Sequence, residues 1–301
     1  MSSLGMKGQP IRSNPQSGPS AVIPAVQDFT KDWGFRKTKN FRNAVPRGQA
    51  YFLCYSAGVL QLPDSYDGLR MERATESGCA VHNSKRDLFF YPVEAIAGHA
   101  KTTSSLLKAT EERRVVIVAH EDFHSVTAGV PAPIAEAATA LVGFLTAAEF
   151  AKAQFGEESD LYRNLSGEAE LFLRKSSMIR AYHARLQHLY APGRNAKIAT
   201  TATLAQKKQV FEELGTRCKE MLPEPHSFNR CPPVLNNAGL AFDMTYADYY
   251  PVMYQMYVSH DRNLKQTIEA LKQLAGGNGS TRRFKQMRAS ERLEQNSPGD
   301  P

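Results

Sequence analysis

Closely spaced cysteines are absent from this sequence. The 301-residue chain contains four cysteines and no CxxC pair, and they lie far apart: Cys54, Cys79, Cys218 and Cys231. Sulfur-ligated zinc ribbons and disulfide-dense scaffolds both need close or abundant cysteines, so neither class fits this chain. We therefore expect four free thiols in a reducing compartment.

Long hydrophobic runs are absent as well. No segment approaches the roughly 18 continuous apolar residues that a membrane-spanning helix needs. Residues 1–20 also lack the apolar stretch of a secretory signal peptide. We therefore expect a cytoplasmic protein with no transmembrane segment, whereas a trimmed or misassigned start would leave export open.

Signatures for nucleotides, serine hydrolysis and nucleic acids are missing too. The sequence has no GxGxxG, Walker or GxSxG motif. Its net charge of +7 comes from the two ends, because residues 1–48 and 276–301 carry positive excesses of six and two. About one net negative charge remains for residues 49–275, and a nearly neutral body argues against a nucleic-acid groove. We expect no specific nucleic-acid partner.

Composition divides the chain into three parts. Residues 1–45 are rich in Gly, Pro, Ser and basic residues, which predicts a flexible basic N-terminal tail. Three aromatic residues are candidates to anchor its second half to the core: Trp33, Phe35 and Phe41. Residues 276–301 begin with a Gly-rich stretch and predict a flexible C-terminal tail. Residues 46–275 are left as one folded domain.

The folded domain is expected to be mainly α (α+β), with a small β element in its N-terminal half. Gln49–Leu62 and Asp87–Pro92 favour strands, because both are rich in aromatic and aliphatic residues. Apolar residues at helical spacing predict seven helices after them. These helices are Val93–Glu112, Val115–Thr127, Ile134–Phe155, Gly167–Tyr190, Ala202–Met221, Tyr249–Tyr257 and Asn263–Ala275.

The segment VVIVAHEDFHSVT, residues 115–127, contains an HExxH motif. His120 and His124 are four residues apart, so on a helix both imidazoles lie on one face and can bind one divalent ion. Glu121 leaves the helix at a neighbouring angle, from which it can accept a proton from water and act as a general base. The motif therefore predicts a zinc-dependent hydrolase, although a helix with two solvent-facing histidines would give the same pattern.

Glu136 is the candidate third ligand. The interval after His124 contains one Gly and two Pro that would reverse the chain and lead into a second, antiparallel helix. A carboxylate in the apolar segment IAEAATALVG is costly to bury unless it is paired or bound to a cation. Two His and one Glu leave a fourth zinc position open, which is typical of catalytic sites. Glu149 is the alternative ligand, and Glu136 as an ordinary helix cap is the alternative interpretation.

HEDFH followed by IAEAATALVG resembles the bacterial predicted zinc aminopeptidases. The similarity continues through residues 184–218 and through NNAGLAFDMTYADYYPVMYQMY, residues 236–257. The resemblance implies a zincin-like helical metallopeptidase domain of the gluzincin type, with one Zn²⁺ ion. It implies that the ion binds to His120, His124 and Glu136, that Glu121 is the general base, and that Tyr246 donates to the tetrahedral intermediate.

The sequence therefore predicts a zinc-dependent peptidase that acts on a peptide or protein substrate, and the resemblance adds aminopeptidase as its candidate type. The alternative is a catalytically inactive protein or a non-enzymatic helical interaction module with basic tails. Ser125 and Asp122, which depart from the family pattern, are the motif residues that would favour the inactive alternative. The sequence leaves the oligomeric state undetermined.

Overall fold

A computed structural model of the chain describes residues 20–43, 52–73, 75, 78–79, 86–92, 95, 100–191, 201–221, 234–277 and 279–296. Within these ranges the protein is mainly helical and has one small antiparallel sheet, as predicted. The helices are α1 (Val22–Lys31), α2 (Ser104–Lys108), α3 (Glu111–Phe123), α4 (Ala132–Phe155), α5 (Asp160–Leu165), α6 (Glu168–Tyr190), α7 (Thr201–Lys219), α8 (Asn237–Ala247), α9 (Tyr250–Ser259), α10 (Leu264–Gly276) and α11 (Ser280–Asn296).

The sheet has three strands in the order β2-β1-β3: β1 is Phe52–Gly58, β2 is Arg70–Arg73 and β3 is Arg86–Pro92. Both neighbours pair with β1 in antiparallel register, which places Cys54 opposite Glu72 on one side and Phe90 on the other. The two predicted β segments are confirmed as β1 and β3. The sequence analysis missed β2, because three of its four residues, RMER, are charged and the strand is mostly exposed.

Helix α4 is the centre of the main core. Ala137, Leu141 and Phe144 are fully buried within it, and the helices around it also contribute buried side chains to the same cluster. By length and composition α4 is long and apolar enough to cross a membrane, although polar residues interrupt its apolar sequence. However, 83% of its apolar window is buried inside the protein, as in the core helix of a folded domain.

The turn between α3 and α4 reverses the chain as predicted. Gly129 has φ +85°, a left-handed conformation that glycine adopts without a steric penalty. Pro131 precedes the first residue of α4, and Pro133 lies in its first turn, where a proline costs no backbone hydrogen bond. The two helices therefore pack side by side.

The second half of the predicted N-terminal tail is part of the folded body. Helix α1 buries Ile23 and Val26 in the main core, and Phe41 joins the same cluster. Burial of apolar residues at helical spacing offsets the conformational entropy that this segment loses when it folds, although its overall composition is polar. The boundary predicted at residue 45 is therefore wrong for residues 20–43, where core anchoring is observed.

The predicted C-terminal tail also contains a packed helix. In α11 the ring of Phe284 is buried in the main core. Glu291 accepts two hydrogen bonds from Arg180 of α6, at 2.9 and 2.8 Å, and both side chains are nearly buried. An apolar anchor and a bidentate ion pair hold residues 280–296 against the domain, so the tail boundary at residue 276 is wrong for this helix.

The predicted helix Val93–Glu112 is wrong. Its described residues contain only the short α2 and the beginning of α3. Thr103 caps α2 by accepting a hydrogen bond from the backbone of Leu106, and Thr110 caps α3 in the same way. Threonines at these two positions begin new helices instead of continuing one.

The expectation of four free thiols is wrong. Cys54 and Cys79 form a disulfide, and Cys218 is disulfide-bonded as well. Although Cys54 and Cys79 are 25 residues apart in sequence, the fold brings their Cα atoms to 5.6 Å, a normal distance for a disulfide. Sequence spacing does not reveal this approach. Cys231 lies outside the described residues.

Candidate metal centre

Three side chains from two packed helices meet at one point. Helix α3 supplies His120, the residue that caps the C-terminal end of α3 is His124, and α4 supplies Glu136. Oε2 of Glu136 lies 3.2 Å from Nε2 of His120 and 3.4 Å from Nε2 of His124. The two Nε2 atoms are 3.1 Å apart, and the three candidate ligand atoms all lie within 4.8 Å of one another. The structure thus brings the three predicted ligands together.

The donor set fits a divalent metal ion. Two imidazole nitrogens and one carboxylate oxygen are ligands that zinc and related transition metals accept. His120 and Glu136 are buried, and His124 is partly buried, so the ion would be screened from most solvent. Glu136 lies in the second turn of α4 and does not cap the helix, whose N-cap is Pro131. The alternative ligand Glu149 is exposed farther along α4, outside the cluster.

Close approach of α3 and α4 depends on a glycine. A Cβ atom placed on Gly143 would lie 3.2 Å from Cβ of His120 and 3.3 Å from the carbonyl oxygen of Val116. Contacts this short are tighter than most real side-chain contacts, so any larger residue requires the helices to shift. Gly143, the last residue of the segment IAEAATALVG, therefore lets the ligand-bearing helices pack closely.

Without an ion, the three candidate ligands form an ion-paired cluster. Burial raises the pKa of Glu136, but hydrogen bonds and charge from His120 and His124 outweigh it and hold that pKa well below the ordinary value. Burial also lowers the pKa of His124, but the hydrogen bond and charge of Glu136 outweigh it and raise that pKa above 6.5. Glu136 is therefore ionised, as metal binding requires.

Glu121 lies beside the candidate ligands in a buried environment. Burial raises the pKa of its carboxyl group, while the neighbouring His120 and His124 lower it less strongly. Its Oε2 atom is buried and has no hydrogen-bond partner among the described residues. A carboxylate with a raised pKa and an unused oxygen is suited to accept and return a proton.

Tyr246 of α8 is half-buried near the same cluster. Its ring centroid lies 6.3 Å from that of His120. Burial raises the pKa of its phenol far above 10, and the negative charge of Glu136 raises it further. The phenol is therefore protonated at neutral pH and can donate a hydrogen bond.

Tyr66 is the site residue that the sequence analysis missed. It lies in a short 3₁₀ turn, Tyr66–Gly68, and its hydroxyl donates a hydrogen bond to Oε1 of Glu136 at 3.1 Å. The surrounding sequence, PDSYDG, has turn-forming composition and no periodic pattern. No signal in the sequence links this turn to a glutamate 70 residues later.

Asp122 faces away from the three candidate ligands. Its carboxylate accepts hydrogen bonds from the side chains of Gln27, Thr38 and Asn40, all in the N-terminal segment. Ser125 donates its hydroxyl to the Asp122 carbonyl at 2.7 Å. Asp122 and Ser125, which depart from the family pattern, are therefore held by hydrogen bonds. Asp122 lies on the side of α3 that faces the N-terminal segment, and Ser125 lies just after the C-terminal end of α3.

Part of the chain matches the model of a known protein family. A family model described as "Putative aminopeptidase" matches residues 102–287, which is more than half of the chain. The matched range includes the HExxH motif, Glu136 and Tyr246, but not the sheet or Tyr66. No curated protein and no solved structure matches the chain.

Proposed function

The chain belongs to the putative aminopeptidase family, and we propose that it is a zinc-dependent peptidase of the gluzincin type with a zincin-like helical domain. One observation carries the proposal. Nε2 of His120, Nε2 of His124 and Oε2 of Glu136 converge from two helices that pack around Gly143. The family match supports peptidase activity, and the donor set supports one Zn²⁺ ion.

The proposed reaction is hydrolysis of a peptide bond. His120, His124 and Glu136 would hold the ion, which supplies Lewis acidity and lowers the pKa of water when it is bound. Glu121 takes a proton from the attacking water and returns it to the leaving amine. Tyr246 donates a hydrogen bond to the substrate carbonyl oxygen as negative charge develops there.

The proposed substrate is a peptide or protein, with no specific nucleic-acid partner. The disulfide between Cys54 and Cys79 bears on where such an enzyme would work, because disulfides persist mainly in oxidising compartments. This bond favours export over the cytoplasmic location expected from the sequence. Peptides outside the cytoplasm would then be the substrates available to the enzyme.

Digestion of a peptide library with and without a chelator tests the proposal. We expect about one zinc ion per chain by mass spectrometry, in line with a single catalytic site, and cleavage that stops when the ion is removed. H120A should lose both zinc and cleavage, whereas H188A, a change at an exposed histidine on α6, should lose neither. Cleavage products that lack one residue from the amino end would identify an aminopeptidase.

The alternatives predict different results. A catalytically inactive family member would bind zinc without cleaving any peptide in the library. A non-enzymatic module would bind no stoichiometric metal and would associate with an acidic partner in a salt-dependent manner. Zinc bound by the wild type but also by H120A would show that the ion lies elsewhere.

A further inference from the structure

The two carboxylate oxygens of Glu136 have different neighbours. Oε2 faces the two imidazoles, at 3.2 Å from His120 and 3.4 Å from His124. Oε1 instead accepts the hydrogen bond of Tyr66, at 3.1 Å. A carboxylate with one oxygen occupied by a donor presents the other oxygen in a defined direction.

Tyr66 is itself held firmly. Its backbone N–H donates to Oγ1 of Thr245 at 2.8 Å, and Thr245 is fully buried in α8. Its ring packs against Tyr55 of β1 and Phe242 of α8, with centroids 6.4 and 5.9 Å away. The hydroxyl group therefore reaches Glu136 from a turn that is fixed to both the sheet and α8.

We propose that Tyr66 is a positioning residue for the metal ligand Glu136. It occupies Oε1, so that Glu136 uses Oε2 alone toward the ion and the carboxylate is kept from binding through both oxygens. A single carboxylate oxygen leaves a coordination position open for water, as catalytic sites require. This inference rests on the proposed metal centre and adds a residue from outside the range that the family model matches.

The proposal gives the N-terminal sheet region a role in the site. The ligands come from α3 and α4, whereas Tyr66 comes from the connection between β1 and β2. Partners that orient metal ligands typically change metal affinity about 10- to 100-fold when they are removed. The sheet region would then influence the ion through one hydrogen bond.

Zinc affinity of the Y66F variant tests the proposal. Dissociation constants would be measured by competition with a chromogenic chelator, using purified full-length protein. We expect Y66F to bind zinc about tenfold more weakly than the wild type, because it loses only the hydroxyl. The matched control is Y55F, the same chemical change in a ring that packs on the same Phe242, and its affinity should stay at the wild-type value.

A double-mutant cycle separates positioning from a general structural effect. In the E136A background the hydroxyl of Tyr66 has lost its acceptor, so adding Y66F should not change zinc affinity further. Thermal unfolding of the metal-free variants shows whether Y66F is folded. A folded Y66F that is weakened only when Glu136 is present would support the proposal.

Three other results would overturn it. Wild-type zinc affinity in Y66F would remove Tyr66 from the site while leaving the metal centre and the proposed function intact. Equal weakening in Y66F and Y55F would indicate an effect of the aromatic cluster and not of the hydrogen bond. A wild-type protein that binds no zinc would overturn this inference together with the proposed function.

Discussion

The side-chain amide of Asn40 donates to Oδ1 of Asp122 at 2.9 Å. The same amide nitrogen donates to the backbone carbonyl of Glu121 at 3.0 Å, and Oδ1 of Asn40 accepts from the backbone of Ala100 at 3.0 Å. Asn40 is almost completely buried. The N-terminal segment is therefore tied by one amide to the back of the helix that carries the HExxH motif.

Removal of this amide should destabilise the protein without removing the metal. N40A leaves the carbonyl of Glu121 without its side-chain donor and the amide of Ala100 without its acceptor, and it removes one of the two side-chain hydrogen bonds to Oδ1 of Asp122. We expect a loss of about 2–4 kcal/mol in the free energy of unfolding, since each unsatisfied buried group costs about 1–3 kcal/mol. Urea unfolding measures this loss. N43A, at an exposed asparagine in the same segment, should hardly change the free energy of unfolding. An N40A variant that is as stable as the wild type would contradict the structural role of Asn40.

Glu121 should be required for turnover and dispensable for metal binding. E121Q keeps the size of the side chain and removes its ability to accept a proton. General acid–base catalysis typically contributes about 100- to 10,000-fold, so the single-turnover rate should fall within that range. Zinc content should remain at the wild-type value. E149Q, a matched change at an exposed glutamate of α4, should retain both the wild-type turnover rate and the wild-type zinc content. Unchanged hydrolysis by E121Q would remove Glu121 from the mechanism.

Gly143 should tolerate no large side chain. G143V places a branched side chain where even a Cβ would lie 3.2 Å from Cβ of His120, so α3 and α4 must separate. We expect a destabilisation of about 1–3 kcal/mol from overpacking and weaker zinc binding from displaced ligands. Thermal unfolding and chelator competition measure the two effects. Gly167, where an added Cβ would meet nothing within 4 Å, provides the control G167A, and equal behaviour of the two variants would contradict the close-packing role.

The sequence predicted the parts of the site that local spacing determines. The four-residue separation of His120 and His124 places both on one helix face, and the Gly-Pro interval before Glu136 predicts an antiparallel return. Both predictions depend only on the spacing of residues within two helices that are consecutive in the sequence. The structure brings these three side chains to one point, and it places Glu121 beside them.

Other features depend on contacts between distant segments. Helix α8 was missed because it is buried on nearly all sides, so its apolar residues show no helical period. Tyr66 reaches Glu136 across 70 residues, and Asn40 reaches Asp122 across 82. Hydrogen bonds of this kind leave no local pattern in the sequence, and neither does the approach of Cys54 to Cys79.

The disulfide between Cys54 and Cys79 should contribute measurably to stability. It closes a loop of 25 residues, for which loss of unfolded-chain entropy predicts about 3 kcal/mol. The double variant C54S/C79S should therefore lose about that amount in urea unfolding. Because Ser is polar, C54A/C79A, which removes the same bond but leaves small apolar side chains, serves as the control for local packing. Equal stability of oxidised wild type and C54S/C79S would show that the bond does not stabilise the folded protein.

The pH dependence of zinc binding should follow the proton on His124. In the metal-free protein burial opposes this proton, but the hydrogen bond and charge of Glu136 outweigh burial and raise the pKa of His124 above 6.5. The ion needs an unprotonated imidazole nitrogen. Zinc affinity should therefore fall as the pH drops through this raised pKa, by about tenfold per pH unit for each proton displaced.

The same shift affects the stability of the metal-free protein in the opposite direction. A raised folded-state pKa means that protonated His124 stabilises the fold below about pH 6.5, and this contribution disappears as the pH rises through the raised value. Because His124 must lose its proton to bind the ion, proton release on zinc binding should increase as the pH falls through the raised pKa of His124, as measured calorimetrically in buffers of different ionisation enthalpy. E136Q removes the charge that raises the pKa, so its proton release should begin at lower pH. Proton release that stays constant over this range in the wild type would show that His124 does not exchange a proton for the ion.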